Sequence, residues 1–160
     1  MIAIVSDTHE NIPLIRKAID VIKSKNVDLI IHCGDVVSPS TLKEFEGFPF
    51  KFVLGNNDGE IKGLTIFADK LDFELPAFWL DFEYNQKRFL VIHDVEDRYI
   101  QERIEAQDYD YVLCGHTHVR RDERIGKTHI INPGALSYRT VTPGFAFLDV
   151  ENDRLEFVDL

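Results

Sequence analysis

The chain has 160 residues, of which 44% are hydrophobic and 29% are charged, and its formal net charge is −10. This length and composition predict one globular domain spanning residues 1–160. The negative charge argues against a long nucleic-acid duplex as a partner, and no apolar stretch is long enough to predict a membrane span.

The first apolar run, at residues 2–5, predicts a strand, and Asp7 and His9 follow it closely. Residues two apart in an extended segment point the same way, so this carboxylate and this imidazole can bind one cation.

The N-terminus lacks the basic region of a secretory signal, so a cytoplasmic protein is expected. Asn11 and Pro13 are typical of a helix start, and apolar residues then recur at helical spacing.

A second apolar run, at residues 28–33, ends at Gly34 and Asp35. A glycine at a strand end lets the backbone turn sharply and brings the carboxylate into the crevice beyond the strand. The two oxygens of Asp35 can bridge a pair of metal ions. A helix cap is the alternative role for Asp35, because a short helix is predicted to begin near Ser38.

A third strand, at residues 51–54, ends at a glycine that Asn56, Asn57 and Asp58 follow. Taken alone, this run is typical of a turn, since asparagine and aspartate tolerate positive φ. The β-α-β-α-β order, however, implies three parallel strands with right-handed crossovers. The Asn56 amide oxygen is then expected beside the two earlier carboxylates as a neutral metal ligand.

The second half of the chain is richer in strands than the first. A parallel core followed by meandering strands favours two packed sheets flanked by helices. The predicted elements are strands at residues 80–84, 88–92 and 111–114, a helix at 98–107, and hairpins at 120–131 and 144–158.

Histidines follow two of these strands. His93 ends one run, and a Gly-His-Thr-His sequence containing His116 and His118 follows another. Neutral imidazole suits Mn, Fe, Co, Ni and Zn ions. Because ligands of α/β sheets gather beyond the carboxyl ends of the strands, we expect all these side chains to converge at one edge of one sheet. His32 and His129 lie inside apolar segments and are interpreted as structural.

Other catalytic chemistry has no sequence signature here. The chain contains no Walker A loop, no G-x-G-x-x-G, no G-x-S-x-G elbow and no C-x-x-C pair. Cys33 and Cys114 end apolar runs, and they are interpreted as small buried residues rather than as a disulfide or metal ligands.

The ordered motifs D-x-H, G-D, G-N-N-D, a lone His and G-H-T-H resemble those of the calcineurin-like metallophosphoesterases. The resemblance spans Asp7 to His118, and Asn132 begins a later N-P-G sequence that is similar to a loop of the short members. In length the chain looks most like the small bacterial and archaeal phosphodiesterases of the YfcE type. The resemblance implies a four-layer α/β/β/α sandwich with two mixed sheets. It also implies a metal-dependent phosphodiesterase that hydrolyses small phosphodiesters through a hydroxide bridging two divalent metals.

The resemblance further assigns side chains to two metal positions. Manganese is the expected ion, with Ni, Zn, Fe, Co and Mg as alternatives. Asp7, His9 and His118 would hold the first metal, Asn56, His93 and His116 the second, with Asp35 bridging. The candidate catalytic residues are Asp35, Asn57 and Asp58.

Two positions depart from the family pattern. Asn57 stands where the family commonly has a histidine, and an amide cannot deliver a proton to a leaving group. Asp94 stands where a glycine usually follows the lone histidine, which alters the wall near the second metal.

Three alternatives stay open from sequence. A non-catalytic protein-binding scaffold, like the retromer subunit related to this family, could share the fold, but its ligand positions are typically eroded. A DNA nuclease is disfavoured by the acidic surface. The aromatic residues Phe67, Phe73, Phe78 and Trp79 are interpreted as core, with a homodimer through this region as the alternative.

Overall fold

The computed structural model describes residues 1–138, 140 and 142–160. Its strands are β1 (Ile2–Val5), β2 (Leu29–His32), β3 (Phe50–Phe52), β4 (Trp79–Tyr84), β5 (Lys87–Ile92), β6 (Tyr111–Leu113), β7 (Arg121–Ile125), β8 (Thr128–Asn132), β9 (Gly144–Asp149) and β10 (Arg154–Asp159). Its helices are α1 (Ile12–Lys23), α2 (Pro39–Lys43), α3 (Ile61–Lys70) and α4 (Arg98–Glu105). None of the helices within these described residues is long and apolar enough to cross a bilayer.

The strands form two mixed sheets, as predicted. The first sheet has the order β10-β9-β1-β2-β3 and the second the order β4-β5-β6-β8-β7. Strands β1, β2 and β3 are parallel to one another, and so are β5, β6 and β8. The remaining strand pairs are antiparallel: β4–β5, β7–β8 and β9–β10 are hairpins, and β9 also pairs with β1 inside the first sheet. Each sheet therefore has a parallel centre whose strand ends can present loops on one side.

Alternating side chains of β1 explain the layers. Ile2 and Ile4 pack against residues of the second sheet such as Val91, whereas Ala3 and Val5 pack under α1 to α3. Both faces of β1 are buried, which is why its sequence is a continuous apolar run. Helix α4 covers the outer face of the second sheet. The result is the expected helix–sheet–sheet–helix order, with one apolar layer between the sheets and one under each set of helices.

Helix α3 was not predicted from the sequence. It contains Gly63 and Thr65, and its N-cap residue, Glu60, makes no side-chain cap hydrogen bond. Helix α1, which was predicted, has both signals that α3 lacks: Asn11 accepts a hydrogen bond from Leu14 N, and a proline lies in the first turn.

The aromatic residues between β3 and β5 divide between core and surface. Phe73 is buried and Phe67 packs partly against the core, as expected. The core interpretation is wrong for Phe78 and Trp79, which are 62% and 60% exposed. Trp79 faces outward because β4 is an edge strand whose Leu80 faces the apolar layer between the sheets, and adjacent residues of a strand point to opposite sides. Phe78 lies just before β4 begins. The cysteines are buried and free, in accord with the sequence interpretation.

Candidate metal centre

The predicted ligands meet where the two sheets adjoin. Asp7, Asp35 and Asn56 follow strands of the first sheet, whereas His93 and His116 follow strands of the second. The expectation that all the ligands lie at one edge of one sheet is therefore wrong. Because the parallel centres of both packed sheets end on the same side, the loops of both sheets contribute to one cluster.

The backbone at the ligands is unusual. Asp7, His9, Asp35, His116 and His118 all have positive φ, between 43° and 68°. This conformation is unfavourable for residues other than glycine and persists only where surrounding contacts stabilise it. Here two backbone hydrogen bonds join the loop after β1 to the loop after β2, from Asp7 N to Gly34 O (3.0 Å) and from His9 N to Asp35 O (3.2 Å). Such strain is frequent at functional sites.

Asp7, His9 and His118 form the first donor group. Nε2 of His118 lies 3.2 Å from Oδ1 of Asp7 and 3.2 Å from Nε2 of His9. Nε2 of His9 lies 4.0 Å from the same carboxylate oxygen. One carboxylate and two imidazole nitrogens thus converge on a common point.

Asn56, His93 and His116 form the second donor group. Oδ1 of Asn56 lies 3.0 Å from Nε2 of His93 and 3.0 Å from Nδ1 of His116. Nδ1 of His93 lies 2.7 Å from the carbonyl oxygen of Cys33. If that nitrogen carries the proton and donates to the carbonyl, the Nε2 lone pair is left facing the other donors.

Asp35 lies between the two groups. Its Oδ2 is 3.6 Å from Nε2 of His9 and 3.6 Å from Nε2 of His93. Asn57 donates to this carboxylate twice, through its side-chain amide to Oδ2 (2.7 Å) and through its backbone amide to Oδ1 (2.8 Å). Burial acts to raise the pKa of Asp35, but the hydrogen bonds from Asn57 and the attraction of His93 and His9 together outweigh it and hold the pKa below its ordinary value. A carboxylate that stays ionised suits a bridging role.

The buried carboxylate of Asp7 provides a test of whether these residues fit a cation. Its Oδ2 accepts hydrogen bonds from the Ser6 hydroxyl (2.6 Å) and the His116 amide (3.1 Å). Its Oδ1 is buried without a hydrogen-bond partner and faces the imidazoles of the first group. Burial raises the pKa of Asp7, so the ionised form needs a compensating charge. Divalent ions that accept mixed oxygen and nitrogen ligands fit this donor set.

Asp58 has a different environment from the candidate ligands. Its carboxylate accepts hydrogen bonds from the backbone amides of Gly55 (2.6 Å), Asp35 (3.0 Å) and Val37 (2.5 Å). Both oxygens are engaged in joining the loops after β2 and β3. We therefore assign Asp58 a positioning role in place of the catalytic role expected from the sequence.

Some residues that shape the cluster carried no usable sequence signal. Ser6 fixes the Asp7 carboxylate, as described above, although a serine before an aspartate is not diagnostic. Asn132 donates to the carbonyl oxygen of Gly115 (2.6 Å) and to the Thr117 hydroxyl (3.1 Å), so it holds the G-H-T-H loop. The only sequence sign of that role was its place in the N-P-G sequence.

His32 and His129 lie outside the donor groups. The His32 ring is buried, and its Nε2 lies 3.0 Å from the Thr8 hydroxyl. Burial lowers the pKa of His32 to about 3, so this ring is neutral and supports the loop between Asp7 and His9. Nε2 of His129 lies 2.7 Å from Asp122 in the hairpin of β7 and β8.

Comparison with known proteins supports the same interpretation. A family model described as a calcineurin-like phosphoesterase superfamily domain matches residues 1–153. Phosphodiesterase MJ0936 of Methanocaldococcus jannaschii is 36% identical over 154 residues, covering 94% of this chain and 93% of the relative.

Solved structures share the fold. A structure described as a novel archaeal phosphodiesterase superimposes with a TM-score of 0.89 at 35% identity, covering 99% of both chains. YfcE, a phosphoesterase from E. coli, has a TM-score of 0.70 at 16% identity, covering 98% of this chain and 97% of its own. Vps29 from Entamoeba histolytica, complexed with zinc, has a TM-score of 0.69 at 16% identity, covering 99% and 98%. At 16% identity the last two likenesses concern the fold alone.

Proposed function

The chain belongs to the calcineurin-like phosphoesterase superfamily, and from this premise we propose that it is a phosphodiesterase that hydrolyses small phosphodiesters with the help of two divalent metal ions. The observation that carries the proposal is the position of Asp35. Its Oδ2 lies 3.6 Å from an imidazole nitrogen of each donor group, which is the place of a ligand shared by two ions.

The residues of the chain divide the chemistry between them. Two divalent ions, when bound, would acidify a shared water to supply a hydroxide nucleophile and would stabilise the charge that develops on the phosphoryl oxygens. Asp7 and Asp35 supply the fixed negative charge that retains such ions. Ser6, Asn57 and Asn132 orient the ligands through the hydrogen bonds described above. In this scheme no side chain forms a covalent bond to phosphorus.

The departing alcohol has a restricted choice of proton donors. Asn57 lies against Asp35, and its amide can donate a hydrogen bond but cannot transfer a proton at neutral pH. We therefore expect the enzyme to act best on esters whose alcohol leaves as a stable anion. Manganese is the proposed ion because the donor set mixes carboxylate, amide and imidazole, and nickel, zinc, iron, cobalt and magnesium are alternatives.

The second candidate function is a non-catalytic protein-binding scaffold on the same fold. The fold likeness to Vps29 favours it to a limited extent. The retained donor atoms favour the enzyme, because buried carboxylates clustered without a cation are costly.

One experiment separates the two functions. Elemental analysis of the purified protein, beside hydrolysis of an aryl phosphodiester, is performed on the parent, on Asp35→Asn and on Asp20→Asn as a surface control. We expect about two metals per chain for the parent and the control. Asp35→Asn should lose metal and hydrolysis together while circular dichroism reports an unchanged fold. A parent that holds two metals yet hydrolyses no diester would support the scaffold instead.

A further inference from the structure

A groove runs from the metal centre along the outer side of strand β4. Its inner part, a cavity of about 290 Å³, is lined by the second donor group together with Phe78 and Ile92. Its outer part, a cavity of about 410 Å³, is lined by Ile92, Trp79, Tyr99 and Tyr109. Because Ile92 lines both cavities and precedes His93 in the chain, the two parts adjoin at the edge of the metal centre.

The walls of the groove are aromatic and open to solvent. Trp79 on β4 is paired with Ile92 on β5, and the side chains of paired residues lie on the same face of a sheet. Ile92 packs on the outer face of the second sheet, so Trp79 lies on that face beside it. Phe78, Trp79 and Tyr99 are 62%, 60% and 61% exposed. Helix α4 packs on Leu90 and leaves the part of the sheet beside Trp79 uncovered. Large apolar side chains exposed together in a cavity commonly mark a binding surface.

The outer wall of the groove is held in place before any ligand binds. Arg103 donates to the hydroxyl oxygens of Tyr99 (3.0 Å) and Tyr109 (3.2 Å), and its guanidinium lies 5.5 and 5.3 Å from the centres of those two rings. The Tyr109 hydroxyl in turn donates to Asp81 (3.0 Å). Tyr109 is 2% exposed and acts as the support, so the exposed ring of Tyr99 is the one that can stack on a planar group at low entropic cost.

The charges of the groove limit what can occupy it. Asp81 and Asp97 line the outer part, together with the cation of Arg103, and Asp94 lines the inner part. Asp81 is paired with Arg88 (2.8 Å), so the negative charge of the groove comes mainly from Asp94 and Asp97. These two carboxylates disfavour a second phosphate. They favour a neutral planar group with polar edges, such as a nucleobase, which can stack on the rings and donate hydrogen bonds to carboxylates.

We propose that this groove binds the base of a nucleoside whose phosphodiester is cleaved at the metal centre, an inference that rests on the proposed function. The substrate is then a nucleoside diester with one phosphate. The geometry allows it, because the outer cavity extends along β5 from Ile92, the partner of Trp79, to Leu90, which lies three residues before His93 or about 10 Å at the usual rise per residue. A base beside Trp79 can therefore remain linked through its sugar to a phosphate at the metal centre.

The first test compares three phosphodiesters that share p-nitrophenol as the leaving group. The second group on the phosphate is thymidine, attached through its 5′ oxygen, or phenyl or ethyl. We expect kcat/KM of the manganese-loaded parent to be about tenfold higher for the thymidine ester than for the ethyl ester, as base stacking on aromatic residues allows. Trp79→Ala should abolish most of this preference by lowering kcat/KM for the thymidine ester much more than for the ethyl ester. The control Ile66→Ala removes an exposed apolar side chain from α3, on the other sheet, and should change neither rate.

The second test needs no turnover. Trp79 is the only tryptophan of the chain, so its fluorescence reports on the groove. The ethyl ester of thymidine 5′-monophosphate should quench this fluorescence in the manganese-loaded parent before this slow alkyl ester is cleaved, whereas diethyl phosphate should not. Quenching by the nucleoside ester without hydrolysis by the parent would uphold the groove and refute the proposed function.

The opposite results are equally informative. Hydrolysis of all three nitrophenyl esters at similar rates, without selective quenching, would uphold the proposed function and overturn the groove. A phenyl ester cleaved as well as the thymidine ester would also overturn it. So would a Trp79→Ala variant that lowers all rates equally or changes the oligomeric state by light scattering, since that result identifies the aromatic surface as an interface between copies.

Discussion

The side-chain amide of Asn57 donates a 2.7 Å hydrogen bond to Oδ2 of Asp35, the oxygen that also faces the imidazoles of His9 and His93. Asn57 therefore fixes the direction of the carboxylate that we propose as the bridging ligand, and it favours the ionised form of that carboxylate. In the position where family members commonly supply an acid, this chain supplies a neutral donor. The consequences concern metal affinity and the choice of leaving group.

Replacing Asn57 by alanine should weaken metal binding. The side-chain hydrogen bond to Asp35 is lost, while the backbone hydrogen bond at Oδ1 remains possible. Removal of a residue that orients a ligand typically lowers metal affinity about 10- to 100-fold. Titration of the metal-free protein with manganese, monitored by calorimetry, measures this change. The exposed Asn26→Ala serves as the control, and equal affinities of the two variants would contradict the role of Asn57.

Hydrolysis should depend steeply on the acidity of the leaving alcohol. Asn57 cannot protonate the departing oxygen, so nitrophenyl esters should react much faster than alkyl esters with the same second arm. Asn57→His introduces a group that can transfer a proton, and it should raise the rates of the alkyl esters more than those of the nitrophenyl esters. The slope of log kcat against leaving-group pKa measures the effect. A slope that is identical in parent and variant would refute the argument.

The two glycines of the loop after β3 should respond oppositely to substitution by alanine. A Cβ at Gly55 would lie 2.2 Å from Oδ1 and 2.5 Å from the backbone nitrogen of Asp35, whereas a Cβ at Gly59 meets nothing within 4 Å. Gly55→Ala should displace Asp35, lose bound metal and cost about 1–3 kcal/mol of unfolding free energy. Gly59→Ala should leave metal content intact and stabilise the fold slightly. Urea denaturation and elemental analysis of both variants test this contrast.

Asp94 should favour diesters over monoesters. One oxygen of its half-exposed carboxylate lies 4.0 Å from Nε2 of His116, and the other accepts the amide of Glu96. A monoester dianion carries one more negative charge than a diester, so this carboxylate repels it more. Asp94→Asn keeps the turn hydrogen bond and should raise the monoester-to-diester ratio of kcat/KM about threefold or more. Glu96→Gln is the matched control, and a ratio that stays constant in Asp94→Asn would exclude the effect.

Acid should reduce the free energy of unfolding by protonating Asp153, which lies in the turn between β9 and β10. Burial acts to raise the pKa of Asp153, but hydrogen bonds from Arg124 (2.7 Å) and Tyr111 (2.8 Å), together with the charges of Arg124 and His129, outweigh it and hold the pKa below its ordinary value. The folded pKa lies below the unfolded value of about 3.9, so the contribution is complete above that pH and is lost as the pH falls through the folded pKa.

The comparison that isolates this contribution is Asp153→Asn, because asparagine tolerates the positive φ of the turn. In metal-free protein, the parent should exceed the variant by at most about 1 kcal/mol near pH 6, since the side chain is half exposed. The difference should shrink below pH 4. A difference that is constant from pH 6 to pH 3 would contradict the argument.

Much of the fold was predictable because its determinants are local. Apolar runs that end in glycine or aspartate predicted β1 and β2, and Asn11 with Pro13 predicted α1. The position of α3 was missed, since that helix is stabilised by the contacts of Leu64 and Ala68 with the core rather than by a cap. Propensity and spacing cannot reveal such contacts.

The candidate ligands were also predictable, whereas their environment was not. The strand-end positions of Asp7 and His93 were visible in the sequence, but the packing of two sheets that brings them together depends on contacts between distant segments. The engagement of Asp58 by three backbone amides is equally nonlocal, and so is the outward orientation of Trp79 on an edge strand. Sequence patterns indicate which side chains are suited to chemistry, and tertiary packing determines which of them face the reaction.

The origin of the ligands in both sheets links cation binding to cohesion of the whole domain. An ion held by Asp7 from the first sheet and by His118 from the second binds only while the apolar layer between the sheets is closed. By mass action, free metal then raises the melting temperature in proportion to the logarithm of its concentration. If the proposed metal centre is correct, a chelator should therefore lower the melting temperature and the rate of hydrolysis together.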